Sequence, residues 1–259
     1  MKLGVCTSPE NVFMAAAAGF DYVECALNTL AAMEEDKYLE LLHSSSDFPI
    51  PISKCNCLLP GDVKAVGPDV SPQKLCAYLD HAFSRASRLG IKLAVFGSGK
   101  ARSYPEDASF GNPMQQLADC LHLMAQYGDK YDIDIAIEPL RPQECNLVNL
   151  VFEATILAIA VNHPRIGVLG DTFHMLSSHE PWQNLANARH KLYHMHISHT
   201  LPDLSGRVYP HCGDGEDYAA VIRTLREMGY RGDMSVEAST KAFSSDAIEA
   251  VLCLKPMLA

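Results

Sequence analysis

Short apolar runs alternate along the chain with longer segments that carry helical patterns of apolar and polar positions. The apolar runs predict eight strands, at Leu3–Thr7, Tyr22–Leu27, Ile52–Leu58, Leu93–Gly97, Ile133–Pro139, Ile166–Asp171, Leu192–Ser198 and Met234–Ala238. The segments between them predict eight helices, at Pro9–Ala18, Asp36–Ser45, Pro72–Leu89, Pro113–Tyr127, Val148–Asn162, Trp182–Ala188, Tyr218–Met228 and Lys241–Leu254. Because parallel strands need a crossover that is usually a helix, the alternation predicts a parallel α/β sheet.

Eight such units can close into a (β/α)8 barrel of the TIM type. The length of 259 residues suits one such barrel, so residues 1–259 are predicted to form a single domain with its active site at the C-terminal ends of the strands. A doubly wound open sheet is the rival, although it would usually use fewer strands. Helix boundaries agree with the assignment: Ser71 and Pro72 favour a helix start, and Gly90 and Gly229 favour helix ends. The segment Thr200–Asp217 lacks periodicity and is predicted to be a functional loop.

Composition narrows the possible partners and location. The formal net charge of −10 disfavours nonspecific nucleic-acid binding, and no segment approaches the length of a membrane span. The N-terminal residues do not have the pattern of a signal peptide. The nine cysteines lie mostly in apolar runs, which predicts reduced, buried thiols and a cytoplasmic protein. Cys55 and Cys57 are two residues apart, so both are expected on the same, buried face of a strand.

Polar side chains end four consecutive predicted strands. Glu138 ends the fifth, Asp171 the sixth and Glu237 the eighth, while His194 and His196 share one face of the seventh. In a barrel, groups at the C-terminal ends of the strands converge on the active site. Burying several carboxylates together is costly unless a cation binds them. Three oxygen ligands and one imidazole suit Mn²⁺, Mg²⁺ or Co²⁺, with Zn²⁺ or Fe²⁺ as alternatives.

Each of these residues also has a simpler interpretation. A single Glu after an apolar strand is often a rim residue paired with a lysine, and a lone His in a strand is often a hydrogen-bonded core residue. The metal hypothesis therefore depends on all four strand ends carrying such a residue.

The order of these motifs resembles the xylose-isomerase-like barrels, in particular the sugar isomerases and epimerases that include D-tagatose and D-psicose 3-epimerases. The resemblance is carried by "IEPL" at Glu138, "DTFHM" from Asp171 to Met175, "HMH" from His194 to His196 and "VEAS" at Glu237. "GFDYVEC" and "VFGSGKAR" add weaker similarity to the second and fourth strands. The resemblance to this family extends over most of the chain.

The resemblance implies a role for each matching residue. Glu138, Asp171, His196 and Glu237 would bind one divalent metal, most readily Mn²⁺, and His194 would support them. Glu138 and Glu237 would also be the catalytic acid and base on opposite faces of the substrate. Substrate contacts are expected from Glu144, His174, Arg207, Glu24 and Ser98; Arg207 lies after an apparent insertion, Thr200–Gly206.

The implied activity is isomerisation or epimerisation of a small ketose or sugar phosphate through a metal-stabilised enediolate. A homo-oligomer is consistent with the family. Lys100 and Arg102, beside Gly97, Ser98 and Gly99, would help to bind a substrate phosphate.

Related chemistry leaves alternatives open. A dehydratase of the inosose or dehydroshikimate type, or a hydroxypyruvate-type isomerase, would use the same metal site. An abasic-site endonuclease would need further histidines at the second to fourth strand ends, where this chain has Glu24, Asn56 and Ser98. A barrel that binds a ligand without catalysis is a further alternative.

Overall fold

The computed structural model of the protein describes residues 1–105 and 112–258. Its strands are β1 (Leu3–Cys6), β2 (Tyr22–Ala26), β3 (Ile52–Asn56), β4 (Leu93–Phe96), β5 (Asp134–Ile137), β6 (Ile166–Asp171), β7 (Leu192–Ile197), β8 (His199–Thr200), β9 (Arg207–Val208) and β10 (Asp233–Val236). Eight of them form a closed parallel barrel in the order β1-β10-β7-β6-β5-β4-β3-β2. The predicted (β/α)8 barrel is therefore confirmed.

Helices surround this barrel. They are α1 (Val12–Ala18), α2 (Leu27–Ala32), α3 (Glu35–Ser44), α4 (Pro72–Arg88), α5 (Gly99–Arg102), α6 (Pro113–Tyr131), α7 (Val151–Val161), α8 (Thr172–Ser177), α9 (Leu185–Ala188), α10 (Tyr218–Glu227) and α11 (Phe243–Leu258). The short helices α2, α5 and α8 follow directly on barrel strands and were not predicted. Within the described residues, no helix is both long and apolar enough to cross a membrane.

Local sequence explains where the longer helices begin and end. The Ser71 side chain accepts a hydrogen bond from the Lys74 N–H at the start of α4, and Asn112 caps α6 in the same way. Gly90 and Gly229 adopt positive φ angles of 86° and 76° just after α4 and α10, a conformation that glycine adopts without steric cost. These positions agree with the predicted boundaries.

Two local predictions were wrong. The segment Thr200–Asp217 is not entirely loop, because β8 pairs with β9 in a short antiparallel hairpin. Cys57 does not share the buried face of Cys55: β3 ends at Asn56, and Cys57 then adopts a φ of 49° and is exposed. Cys212 is exposed as well, and Cys6 and Cys76 are only partly buried, so the expectation of buried thiols holds for the other five cysteines. All nine cysteines are free.

The strand register positions the site. His196 on β7 is level with Asp171 on β6 and with Ser235 on β10, and Cys6 on β1 is level with Glu24 on β2. These residues therefore project from neighbouring strands at nearly the same height. Apolar side chains of the helices and strands form the surrounding core; on α4, for example, Leu75, Leu79 and Phe83 are buried at helical spacing.

Candidate metal centre and active site

Four polar side chains meet at the C-terminal end of the barrel. One ligand atom from each of Glu138, Asp171, His196 and Glu237 lies within 4.8 Å of all the others. The first three are buried, and the Glu237 side chain is largely buried. The structure thus brings together the four residues that the sequence predicts as metal ligands.

His196 is the centre of this group. Its Nδ1 atom lies 2.7 Å from Glu237 Oε2, 3.3 Å from Glu138 Oε1 and 3.6 Å from Asp171 Oδ2. Its Nε2 atom lies 2.9 Å from Glu24 Oε1, on the other side of the ring. Once Nδ1 has lost its proton, donation from Nε2–H to Glu24 would leave the Nδ1 lone pair facing the three carboxylates, as a hydrogen-bond partner commonly does for a metal-binding histidine.

Glu24 belongs to a buried network behind His196. Its Oε2 accepts a hydrogen bond of 2.7 Å from the Ser235 hydroxyl and lies 2.8 Å from His194 Nε2. The Tyr22 hydroxyl in turn lies 2.8 Å from Ser235 Oγ. Burial alone would raise the pKa of Glu24, but His196 and His194 hold that pKa well below its usual value, so Glu24 is a carboxylate.

This network bears on the roles predicted for Glu24 and His194. Glu24, predicted as a substrate contact, reaches a cavity wall, but both of its oxygens already have partners among His194, His196 and Ser235. His194 lies beside His196 with the ring centroids 5.2 Å apart. His194 is thus placed where the resemblance implies a supporting role.

Arg207 reaches the same centre from the β8–β9 hairpin. Its Nη1 lies 2.5 Å from Asp171 Oδ2, and its Nη2 lies 2.8 Å from Glu237 Oε2. Burial would lower the pKa of Arg207, but Asp171 and Glu237 raise it above its usual value, so the guanidinium stays charged. The insertion before Arg207 folds into a hairpin that returns this side chain to the barrel axis.

The two glutamates have pKa shifts of opposite sign. Burial and repulsion from Glu237 raise the pKa of Glu138. Burial would also raise the pKa of Glu237, but Arg207 and His196 outweigh it and lower that pKa. Asp171 likewise has a lowered pKa, because Arg207 and His174 outweigh its burial. Diverging pKa values in one pair of carboxyl groups are typical of a general acid and a general base.

A cavity of about 280 Å³, which we call the site cavity, opens above these residues. The predicted substrate contacts that line it are Ser98, Glu144, His174 and Arg207, together with Glu138 and Glu237. His174 Nε2 lies 4.0 Å from Glu138 Oε1. Glu144 is at the rim, where it is paired with Arg141 at 2.7 Å. The Ser98 hydroxyl oxygen accepts a hydrogen bond from the Leu59 N–H, so Ser98 also shapes the loop.

The expected phosphate contact from Arg102 is wrong. Arg102 is completely buried, and its guanidinium donates to the carbonyl oxygens of Phe96 and Glu138 below the cavity. The helical turn α5 carries the side chain inward, whereas Lys100 remains exposed on the cavity wall. Arg102 therefore holds the backbone that carries Glu138.

Sequence reasoning missed two contributors to the centre. The Asn56 side chain donates a hydrogen bond of 2.9 Å to Glu237 Oε1. A Cβ atom at Gly97 would lie 2.2 Å from Glu138 Oε2, so only glycine leaves room for that carboxylate. Asn56 is the last residue of β3, and the predicted ligands likewise lie at or just after the ends of their strands. That position was the signal that could have identified Asn56.

The donor set fits a divalent metal. Glu237 Oε2 is buried and lacks a hydrogen bond of good geometry, although His196 Nδ1 and Arg207 Nη2 lie within ion-pair distance of it. The carboxyl groups of Glu138, Asp171 and Glu237 are packed together in a buried place with His196 and Arg207 as their cationic partners, and a divalent ion would offset their mutual repulsion. Carboxylate oxygens with one imidazole suit a hard or borderline divalent ion, and no thiolate is among these four residues.

The comparisons with known proteins agree with this fold and this centre. The family model "Xylose isomerase-like TIM barrel" matches residues 12–256, and the chain belongs to that family.

Among its curated relatives, the L-ribulose 3-epimerase of Methylomonas sp. is 23% identical over 245 residues, which cover 93% of this chain and 81% of the relative. A probable ketose 3-epimerase of Synechocystis sp. is 24% identical over 228 residues, covering 85% of this chain and 74% of the relative.

Solved structures show the same barrel. The D-psicose 3-epimerase of Clostridium cellulolyticum with D-tagatose superposes with a TM-score of 0.84 at 18% identity, covering 100% of this chain and 99% of that one. The 3-keto-D-glucoside 4-epimerase of E. coli superposes with a TM-score of 0.81 at 18% identity, covering 99% of both chains. At such identities these structures establish similarity of fold.

Proposed function

We propose that this protein is a divalent-metal-dependent sugar epimerase that acts on a small ketose. It would invert the carbon next to the carbonyl by removing a proton and returning one to the opposite face. Glu138, Asp171, His196 and Glu237 would hold the metal, with Mn²⁺ the best match to three carboxylates and one imidazole. The curated relatives named as 3-epimerases of ketoses support C3 as the position of the reaction.

One observation carries the proposal. Glu138 and Glu237 both line the site cavity, and both approach His196 Nδ1, at 3.3 Å and 2.7 Å. An epimerase that uses two groups needs one group to remove the proton and another to deliver a proton to the opposite face of the same carbon. Glu138 and Glu237 would supply these two groups and would exchange roles with the direction of the reaction.

The remaining residues would orient the substrate. When bound, a divalent metal would polarise the carbonyl and stabilise the negative charge that develops as the proton leaves. His174, Glu144 and Arg207 stand on the cavity wall, where they can hydrogen-bond the oxygen atoms near the carbonyl. The fixed Arg207 and Asn56 contacts hold Glu237 in place before the substrate arrives.

Deuterium exchange tests the activity directly. The purified protein, loaded with Mn²⁺, is incubated in D₂O with a panel of ketoses and ketose phosphates, and exchange at C1 and C3 is followed by NMR. Exchange at C3 with formation of the epimer is expected. Exchange at C1 with formation of an aldose would indicate an isomerase instead. Loss of water from a cyclic polyol ketone, with no exchange into any sugar, would replace the epimerase by a dehydratase.

The metal assignment needs its own test. Elemental analysis should show that Glu138→Gln and Asp171→Asn proteins retain much less Mn²⁺ than the wild type, because each loses a charged ligand. Full metal content in both variants would contradict the assignment.

Four broader inferences belong to the same proposal. The barrel would act as one domain, and its substrate would be a free sugar or a sugar phosphate held partly by Lys100 at the cavity wall. A cytoplasmic location follows from the free cysteines, and a homo-oligomer is consistent with the family.

A further inference from the structure

Two cavities meet at Glu237. The site cavity lies on the side of Glu138 and Arg207, and a second cavity of about 320 Å³, which we call the distal cavity, lies on the side of β1 and β2. The two share Asn56, Cys57 and Glu237 as walls. A substrate whose reacting carbon sits beside Glu237 can therefore extend into both.

The walls of the distal cavity are mainly small or apolar. Eight of the fourteen residues that line it are apolar residues or cysteines, among them Pro9, Ala26, Leu30, Met33 and Ala238. The site cavity instead contains Lys100, Glu138, Glu144, His174 and Arg207. The two ends of a substrate would thus meet very different surroundings.

Among the polar side chains that line the distal cavity, Thr7, Glu24 and Asn56 have partners inside the protein, while Ser8 and Thr29 offer hydroxyls on its wall. The Asn56 amide donates to Glu237, and Thr7 Oγ1 accepts a hydrogen bond of 2.7 Å from Asn11. Both oxygens of Glu24 are engaged by histidines and Ser235. A sugar hydroxyl buried here would find few free partners, and burying a hydroxyl without one is costly.

The apolar surface continues outward. Pro9 and Met33 also line a neighbouring groove that contains Phe13, Leu41 and Phe48, with the charged Glu10, Lys37 and Glu40 beside them. Phe13 is 57% exposed, and its ring packs edge-to-face against Phe48 with the centroids 5.8 Å apart. An aromatic side chain exposed at the end of an apolar channel is suited to contact an apolar group that emerges from it.

We propose that the natural substrate is a ketose derivative with an apolar group, aryl or alkyl, at the end remote from the carbonyl, and that the distal cavity binds this group. The inference rests on the proposed epimerase function and replaces the free sugar or sugar phosphate named there with a substituted ketose as the natural substrate.

Paired substrates test the proposal. D-Fructose, D-tagatose and D-psicose are each compared with their 6-O-benzyl and 6-O-(2-hydroxyethyl) ethers, and kcat/KM is measured from deuterium exchange at C3 with the Mn²⁺-loaded enzyme. The benzyl ether of an accepted ketose should have a kcat/KM at least about tenfold above its parent, because apolar burial adds favourable free energy. The hydroxyethyl ether should show no such gain.

Variants connect the gain to the distal cavity. Met33→Gln should reduce the ratio of benzyl-ether to parent kcat/KM several-fold by making the wall polar. Thr29→Val makes another wall residue apolar and should increase that ratio. This variant provides the test if the Met33→Gln protein does not fold. The matched control is Met114→Gln on α6; Met114 is 37% exposed and lies outside the lining of both cavities, so the ratio should not change.

The outcomes separate the two proposals. The apolar-substituent proposal would be overturned, and the epimerase proposal left intact, by either of two results. One is exchange with parent ketoses without a gain for the benzyl ethers. The other is a ratio of benzyl-ether to parent kcat/KM that the substitutions at Met33 and Thr29 do not change. No C3 exchange with any parent or ether, in protein shown to contain Mn²⁺, would overturn the proposed function and the substituent proposal with it.

Discussion

The two ring nitrogens of His196 face two clusters of similar residue types that differ in their bonding. On the Nδ1 side are Glu138, Asp171 and Glu237, and on the Nε2 side are Glu24 and Cys6. A carboxylate oxygen approaches the ring at 2.7 Å on the first side and at 2.9 Å on the second. Distance from the imidazole therefore does not distinguish the two clusters.

Hydrogen bonding does distinguish them. Glu24 is fully buried, and each of its oxygens has a partner. Glu237 Oε2 is buried without a well-formed hydrogen bond, and Glu237 also lines both cavities. A fully buried carboxylate that is hydrogen-bonded on both oxygens positions its neighbour, whereas one that lines the site cavity is accessible to a metal and a substrate.

The largest effect is expected on the Nδ1 side. Glu237→Gln removes the proposed base and one charged ligand, so kcat should fall by about 10³-fold or more, within the range for loss of general acid–base catalysis together with metal binding. Steady-state epimerisation at saturating Mn²⁺ measures this. Glu227→Gln, at an exposed position of α10, is the matched control and should retain wild-type activity. A Glu237→Gln enzyme with near wild-type kcat would refute the assigned role.

Glu24→Gln should have a smaller effect of a different kind. Removing the charge behind His196 should weaken Mn²⁺ binding by roughly 10–100-fold, as is typical when a metal ligand loses its hydrogen-bond partner. Once Mn²⁺ is saturating, most of kcat should return. Isothermal titration calorimetry and kinetics at several Mn²⁺ concentrations measure the two quantities. A loss of kcat that excess Mn²⁺ does not restore would place Glu24 among the catalytic groups.

The third test is the release of a proton from His196 when a metal binds. Burial would lower the pKa of His196, but Glu237 and Glu24 raise it well above its usual value, which favours the doubly protonated ring in the metal-free protein. Since Nδ1 must lose its proton to bind a metal, Mn²⁺ affinity should rise with pH, by up to about tenfold per unit. Calorimetry in buffers of different ionisation enthalpy should detect release of about one proton. A pH-independent affinity without proton release would argue against His196 as a ligand.

The smallest effect is expected within the network on the Nε2 side. Ser235→Ala removes a hydrogen bond to Glu24 and leaves the Tyr22 hydroxyl without its partner, so the free energy of unfolding should fall by about 1 kcal/mol or somewhat more. Urea unfolding of the metal-free protein measures the change. Ser244→Ala, at an exposed position, should change it far less. Equal stability of the two variants would show that the network contributes little to folding.

The fold and the four proposed ligands could be predicted because both depend on local pattern. Alternating strands and helices define the barrel, and Glu138, Asp171, His196 and Glu237 lie at or beside the C-terminal ends of strands, which meet at one end of any such barrel. Asn56 occupies the same kind of position and was overlooked as a partner of Glu237 because its amide carries no charge.

The errors arose where tertiary structure overrides local pattern. Arg102 follows a glycine-rich, basic sequence typical of an anion site, yet α5 turns its side chain beneath Glu138. The β8–β9 hairpin has only two residues in each strand, too few to show periodicity, and it alone brings Arg207 to Asp171. The role of Glu24 depends on which side of His196 it approaches, and spacing along the chain contains no such information.

The most direct test of the account is the position of the metal relative to His196. A crystal of the Mn²⁺-loaded protein, measured at a wavelength where manganese scatters anomalously, should show one strong peak on the Nδ1 side, bound by Glu138, Asp171, His196 and Glu237. A peak on the Nε2 side, between Cys6, Glu24 and His196, or no peak within bonding distance of His196, would contradict it.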